Sequence, residues 1–199
     1  MRPPRDRSTR YAILGLLGLA PMSGYELRKV ASRSIGHFWS ESYGQIYPAL
    51  RDLATEGLAR PVPRRAPAQH NRREFEITAK GREALRAWRS RPPRTQSPRN
   101  ELLLKLFFAD ADSIADHTAH VERILEEEAE RLRLYAFLDQ RIRKEWSDHS
   151  SRPFWLMTVS HGRHLSQALA DWSRETLAAL RRETAHPRRA RPRRPGRTG

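Results

Sequence analysis

The order of the helices and strands predicted for the first half of the chain limits its fold more than any other feature of the sequence. Apolar residues recur at helical spacing in three successive segments, and two segments with strand character follow them. The predicted elements are, in chain order, helices over Arg10–Leu19, Gly24–His37 and about 40–57, strands over Leu58–Arg64 and Arg73–Ile77, and a helix over Ala79–Trp88. Three helices followed by a β-hairpin predict a winged helix-turn-helix domain over residues 1–90. Its two-stranded wing must pack on the helices, because such a hairpin is marginal alone.

Capping residues support these boundaries. Ser23 precedes the second helix and Glu26 lies three residues later, which is the spacing of a capping box. Gly57 lies where the third helix is expected to end, and Thr78 is placed to cap the fourth.

The second half of the chain predicts helices that leave apolar surface for a partner, so the fold class is mostly α. A proline-containing linker over residues 91–99 precedes it. An apolar segment, Glu101–Phe108, is followed by two long amphipathic helices, Ser113–Trp146 and one that begins at Pro153. Two helices cannot shield stripes this wide, which predicts a helical dimerisation domain over residues 100–184. The residues expected at the dimer interface are Leu125, Leu132, Leu165, Leu169 and Trp172.

The balance of charge favours a polyanionic partner. The chain has 38 basic and 23 acidic residues, a formal net charge of +15, and most of the basic residues are arginine. Residues 185–199 are rich in arginine and proline and contain no acid, which predicts a disordered basic tail. No apolar run approaches the ~18 residues that span a bilayer, and nothing resembles a secretory signal, so no membrane partner is expected and the protein is expected in the cytoplasm.

The third predicted helix has the pattern of a recognition helix. With Ile46, Leu50 and Leu53 buried, the opposite face is polar. The candidate DNA-contact residues of this helix are Ser42, Gly44, Gln45, Tyr47, Pro48 and Arg51. Glutamine can bond bidentately to adenine, and tyrosine can reach phosphate or a thymine methyl. The alternative is an ordinary amphipathic helix whose outer face is solvated.

The predicted hairpin that follows is basic around its tip. No acidic residue lies between Arg60 and Arg73. A charge run is usually a solvated face, but a basic hairpin directly after a candidate recognition helix favours a wing that lies on the DNA backbone. The candidate contact residues of the wing are Arg64, Arg65, His70, Asn71, Arg72 and Arg73.

Several spaced motifs resemble the PadR family of transcriptional regulators. The motifs that agree with the family in order, over residues 10–88, are Ile13–Leu17, Met22–Leu27, Ser42–Leu50, Glu56–Leu58, Arg72–Thr78 and Gly81-Arg82. Residues 99–106 resemble the C-terminal region of the longer members, those with a virulence-activator-like helical region.

The resemblance implies a homodimeric regulator, usually a repressor, that binds a near-palindromic operator in double-stranded DNA. It implies DNA contacts from Tyr47, from the start of its helix and from the wing. In some members a small aromatic or phenolic molecule relieves repression, and here such an effector is expected between aromatic side chains near Trp146 or Trp172. Two alternatives stay open: a weakly specific nucleic-acid-binding protein driven by its arginine-rich tail, and a winged-helix module for protein interaction.

Other classes of function find little support in the sequence. The chain has no cysteine, which excludes disulfides, thiolate metal sites and cysteine nucleophiles. His117 and His120, and likewise His161 and His164, have no carboxylate motif beside them and are interpreted as surface or interface histidines. No phosphate-cradling loop or nucleophile elbow occurs, so we expect no catalysis, no cofactor and no metal.

Overall fold

The computed structural model describes residues 8–39, 43–62, 73–93 and 100–185. The described residues form two compact units, one before and one after the segment 94–99. The N-terminal unit has four α-helices and a small sheet, and the C-terminal unit has three α-helices. The predicted basic tail, beyond residue 185, lies outside the described residues. Within the described ranges, no helix is long and apolar enough to span a bilayer.

The N-terminal helices follow the predicted order. Their bounds are α1 Ser8–Leu17, α2 Gly24–Ser34, α3 Ile46–Thr55 and α4 Ala79–Arg89. The structure corrects the bounds of the first three helices. The third was expected over about residues 40–57, whereas α3 spans Ile46–Thr55 and follows a 3-10 turn at Tyr43–Gln45. The first helix begins and ends two residues earlier than predicted, and α2 ends at Ser34 because the chain continues as turns, in which the Gly36 N–H bonds to the Ala31 carbonyl at 2.9 Å.

The predicted caps are confirmed. The Ser23 hydroxyl accepts a bond from the Glu26 N–H at 3.3 Å, and the Glu26 carboxylate accepts one from the Ser23 N–H at 2.8 Å, which completes a capping box. Thr78 caps α4 by accepting from the Gly81 N–H at 3.0 Å. The third helix ends before Gly57, whose φ of 71° is the left-handed conformation that terminates helices.

The sheet has one strand more than the predicted two-stranded wing. Ala59–Pro61 (β2) and Glu74–Ile77 (β3) form the predicted antiparallel hairpin, and Met22–Ser23 (β1) pairs with the other edge of β3, in the order β1-β3-β2. Residues 22 and 23 were expected only as a helix break and cap. A two-residue strand has no periodicity of its own, and β1 forms because β3 presents a second edge to it.

The core of the N-terminal unit orients α3. Ile46, Leu50 and Leu53 are buried, as their spacing predicted. They pack with residues from α1, α2 and the sheet, namely Ile13, Leu14, Leu16, Leu17, Met22, Leu27, Leu58, Ala59 and Ile77. Because one face of α3 is fixed in this core, the opposite face must point outward.

The C-terminal unit consists of one short and two long helices. Their bounds are α5 Glu101–Phe107, α6 Ile114–Glu145 and α7 Arg152–Ala185. Each lies within one or two residues of its predicted position, and a 3-10 turn at Ala111–Ser113 replaces the predicted first residue of α6.

The packing of α6 on α7 differs from the predicted apolar stripes. On α6 the buried apolar residues are Val121, Tyr135 and Leu138. On α7 the buried face is mostly small, formed by Val159, Gly162, Ser166, Ala170, Ser173 and Leu177. The α7 residues predicted for the dimer interface, Leu165, Leu169 and Trp172, lie outside this face and are exposed or half-buried in the single chain. The large apolar residues of α7 recur on one face of the helix. A different face, formed mostly by small residues, packs closely on α6.

Gly162→Ala is expected to lower the free energy of unfolding of the C-terminal unit by about 1–3 kcal/mol. A Cβ at position 162 would lie 2.4 Å from Cζ of Tyr135, so the buried ring would have to move. Urea unfolding followed by circular dichroism measures the change. Gln167→Ala, at an exposed position of the same helix, is the control, and equal stability of the two variants would contradict this packing.

Candidate nucleic-acid interface

The exposed face at the start of α3 holds most of the predicted contact residues that the structure describes. Gly44, Gln45, Tyr47 and Arg51 are exposed, whereas Pro48 is half-buried. A 3-10 turn, Tyr43–Gln45, leads into the helix. Within the described part, no side chain caps α3, and Pro48 in its first turn has no N–H.

Tyr47 is held by close packing on the first residue of α2. A Cβ added to Gly24 would lie 2.4 Å from Cε1 of Tyr47, so the ring lies directly against the Gly24 backbone. The side chain still exposes 54% of its surface. The glycine therefore positions an exposed aromatic ring at the junction of α2 and α3, where a flexible side chain would otherwise sample several rotamers.

A second exposed tyrosine lies beside this junction. Tyr25 is the second residue of α2 and exposes 46% of its surface. Arg28 and Lys29 are exposed three and four residues later, on the same side of the helix. This face of α2 was not predicted, because its exposed residues follow no motif of their own. The sequence signal that could have indicated it is Tyr25, which lies off the apolar face of a helix whose start is marked by the Ser23 cap.

The base of the wing is held by ionic and aromatic contacts. Arg60 Nε donates to Glu76 Oε1 at 2.6 Å across the β2–β3 pair. The Arg73 guanidinium lies 5.9 Å from the ring centroid of Phe75, and Arg73 is exposed. The other predicted wing residues, Arg64, Arg65, His70, Asn71 and Arg72, lie outside the described residues, as does Ser42 of the recognition segment.

The C-terminal end of α3 is tied to the helices around it. The Glu56 carboxylate forms an ion pair with Arg10 of α1. Lys80 of α4 donates from Nζ to the Glu56 carbonyl at 2.9 Å. These contacts and the core fix α3, so its exposed N-terminal end is presented on a rigid support.

The residues predicted for dimerisation are not consumed by packing within one chain. Leu125, Leu132, Leu169 and Trp172 are half-buried, and Leu165 is 59% exposed. Other large apolar residues of this unit are exposed as well, namely Leu103, Leu104, Phe107, Phe108, Leu134, Phe137, Phe154 and Met157. The described part of this unit therefore exposes many large apolar side chains.

The remaining candidates of the sequence form no site of their own. His117 is buried on α6, whereas His161 and His164 are exposed on α7. Among the described residues, no three side chains are grouped so that they could hold a metal ion. Trp146 packs edge-to-face on Trp155, with ring centroids 5.6 Å apart.

Two protein-family models match the chain. The model described as "Transcriptional regulator PadR-like family" matches residues 13–87, and the one described as "Virulence activator alpha C-term" matches residues 98–181. Together they cover both compact units. The first match lies within residues 10–88, whose motifs carried the resemblance, and the second includes the stretch 99–106 and extends well beyond it.

Two curated proteins are similar in sequence. The negative transcriptional regulator PadR of Bacillus subtilis is 34% identical over 106 residues, which span 51% of this chain and 57% of that protein. The probable transcriptional regulator Rv1176c of Mycobacterium tuberculosis is 27% identical over 182 residues, 85% of this chain and 96% of that protein.

Solved structures of the Bacillus subtilis protein share the fold. Its complex with operator DNA is 23% identical, covers 89% of this chain and 99% of that chain, and superposes with a TM-score of 0.76. Its complex with p-coumaric acid is also 23% identical, covers 89% and 98%, and superposes with a TM-score of 0.71. The winged-helix fold with a helical C-terminal region is thereby confirmed.

Proposed function

The chain belongs to the PadR-like family of transcriptional regulators, as its motifs predicted, and we propose that it is a repressor that binds a near-palindromic operator as a homodimer. One observation carries the proposal. The exposed N-terminal end of α3 presents Gln45, Tyr47 and Arg51 from a face whose opposite side is fixed in the core.

Each of these residues has a role that its chemistry allows. Gln45, at the start of α3, is placed to bond an adenine edge in the major groove, where the N-terminal end of a recognition helix normally lies. Tyr25 follows Gly24 in the chain, and the Tyr47 ring packs on Gly24; both tyrosines can offer hydroxyl groups to phosphate. Arg51 lies one turn after Tyr47 and can reach the backbone or a guanine.

The basic residues supply affinity that does not depend on sequence. Arg73 at the base of the wing, and the predicted wing residues beyond it, would neutralise phosphates and release counterions. The arginines of the C-terminal tail add to the same effect. The specificity therefore has to come from the α3 face rather than from the net charge of +15.

The partner of the C-terminal unit would be a second copy of this chain, which would cover the apolar residues that α7 leaves exposed or half-buried. A dimer would bury Leu165 and complete the burial of Leu169 and Trp172. Its two-fold symmetry would place two recognition helices on two half-sites, which matches a near-palindromic operator. Such a regulator acts by binding DNA and catalyses no reaction. It would act in the cytoplasm, where bacterial DNA lies.

A small aromatic effector fits the same proposal. The similar Bacillus subtilis protein has been solved with p-coumaric acid, a phenolic acid. A repressor of this kind would release its operator when such a molecule binds, since the two ligands would favour different conformations.

Gln45→Ala is expected to weaken binding to the operator by about 1–3 kcal/mol and to leave binding to random DNA unchanged. Titration of fluorescent duplexes measures both affinities, with the operator first defined by footprinting upstream of the chain's own gene. Gln140→Ala, at an exposed position of α6, is the matched control. Equal weakening on operator and random DNA would remove base readout by Gln45 and favour a weakly specific binder.

A further inference from the structure

A pocket of about 230 Å³ opens in the N-terminal unit between α1, α2 and the first residue of α3. Ile13 of α1, Leu27 of α2 and Ile46 of α3 form its buried walls. Ala12 and Ala31 narrow it from the two helices, and Trp39 lies in the turn region after α2. The sequence did not predict this pocket. It predicted an effector site near Trp146 or Trp172, in the C-terminal unit.

The walls of the pocket are apolar and uncharged. None of the described residues that line it carries a charge. His37, next to Gly36 in the lining, has a pKa lowered by burial, so this neighbouring ring is also neutral at pH 7. A charged ligand would lose its hydration here without gaining a counter-ion.

Two polar atoms of lining residues are buried without a hydrogen-bond partner among the described residues. They are Oγ1 of Thr9 and Nε1 of Trp39. A buried donor without an acceptor is costly, and most such groups in proteins are satisfied by another group, by water or by a ligand. The indole N–H can only donate, so a ligand that pairs with it must offer a hydrogen-bond acceptor.

We propose that this pocket binds a neutral, monocyclic aromatic molecule with one hydrogen-bond acceptor, such as a phenol, an aryl ketone or an aryl ester, and that this ligand controls DNA binding. The size fits, because a cavity of ~150 Å³ with similar walls holds benzene, and 230 Å³ leaves room for a substituent. An aromatic carboxylate is disfavoured, because the described lining offers it no cation. The proposal rests on the proposed function and names the chemistry of its effector.

The position of the pocket couples it to the recognition helix. Trp39 and Ile46 line it from the two sides of the segment that leads from α2 into α3, and Gln45 and Tyr47 flank Ile46. A ligand that contacts Ile46 bears directly on the first residue of α3, between Gln45 and Tyr47. If the ligand fits better when the start of α3 has shifted, the bound ligand weakens operator binding. Bound operator then weakens binding of the ligand by the same factor.

Binding is tested on the full chain without DNA, by calorimetry. The probes are methyl 4-hydroxybenzoate, which is neutral, and 4-hydroxybenzoate, which has the same ring and a charge. The ester is expected to bind with a Kd of roughly 0.1–1 mM, as a ligand of this size can. The carboxylate is expected to bind at least ten-fold more weakly. Absence of ester binding, or equal binding of both probes, would overturn the proposal.

Ala31→Leu locates the site. The added side chain would fill the pocket, so ester binding should be lost while the melting temperature stays the same or rises. Ala87→Leu, at an exposed position of α4, is the control and should bind as the wild type does. If Ala31→Leu unfolds the unit, Trp39→Phe replaces it, and loss of the indole donor should weaken ester binding several-fold. Unchanged binding in a folded pocket variant places the ester elsewhere and contradicts the proposal.

The DNA readout separates this inference from the proposed function. Saturating ester should weaken operator binding by about 5–150-fold in the wild type and have no effect on Ala31→Leu. Operator binding that is specific but unaffected by bound ester would overturn the regulatory inference and leave the proposed function intact. Failure of the ligand-free protein to prefer its operator would overturn the proposed function, whatever the ester binding.

Discussion

Leu165→Asp is expected to convert the proposed dimer into monomers and to lower operator affinity by about 100-fold or more, because a monomer contacts a single half-site. Within one chain, Leu165 exposes 59% of its surface and makes no part of the buried α6–α7 face. The substitution therefore costs the fold of the subunit little. In the dimer it places a carboxylate in an apolar interface, where a charge is poorly tolerated.

Sedimentation and operator titration measure the two effects of Leu165→Asp, and far-ultraviolet circular dichroism checks that the helices remain. The control is Ala178→Asp, which adds the same charge to an exposed position on the far side of α7. It should stay dimeric and bind normally. A Leu165→Asp protein that remains a dimer would show that α7 is free of the interface at this point.

Gly24→Ala is expected to lower operator affinity by about 10–100-fold while the domain remains folded, if Tyr47 is among the few contacts that carry most of the binding energy. The added Cβ would lie 2.4 Å from the Tyr47 ring, which is the movable end of a half-exposed side chain. The ring must therefore leave its place on α2. The helix itself gains from alanine, so the melting temperature should not fall.

Gly15→Ala is the matched control for this substitution. Position 15 lies on α1, and an added Cβ meets nothing within 4 Å. The same chemical change should therefore leave operator binding unchanged. If Gly24→Ala binds the operator with normal affinity, the packing of Tyr47 on Gly24 plays no part in DNA binding.

The elements of the fold that depend on local chemistry could be predicted from the sequence. The Ser23–Glu26 capping box, the Thr78 cap and the helix end before Gly57 all lie within a few residues of the groups they contact. The outward face of α3 followed from the spacing of Ile46, Leu50 and Leu53.

Features that join distant parts of the chain could not be predicted in this way. The third strand pairs Met22 with Phe75, which are far apart in sequence. The Tyr47–Gly24 contact and the pocket between α1 and α2 likewise depend on how helices meet. On α7 the periodic large residues were expected at a dimer interface, and the face that packs within the chain, formed by Gly162 and its small neighbours, had no apolar periodicity to mark it. Periodicity shows that a face is apolar, and the neighbouring element decides which face is covered.

A competition titration of the wild-type protein tests whether the N-terminal unit reads a DNA sequence. The footprinted operator competes with a scrambled duplex of the same composition, at two salt concentrations. The operator should be preferred by about 1,000-fold or more, and the preference should persist at high salt while both affinities fall. Equal affinity for the two duplexes, falling together with salt, would show instead that the protein binds DNA through its charge alone.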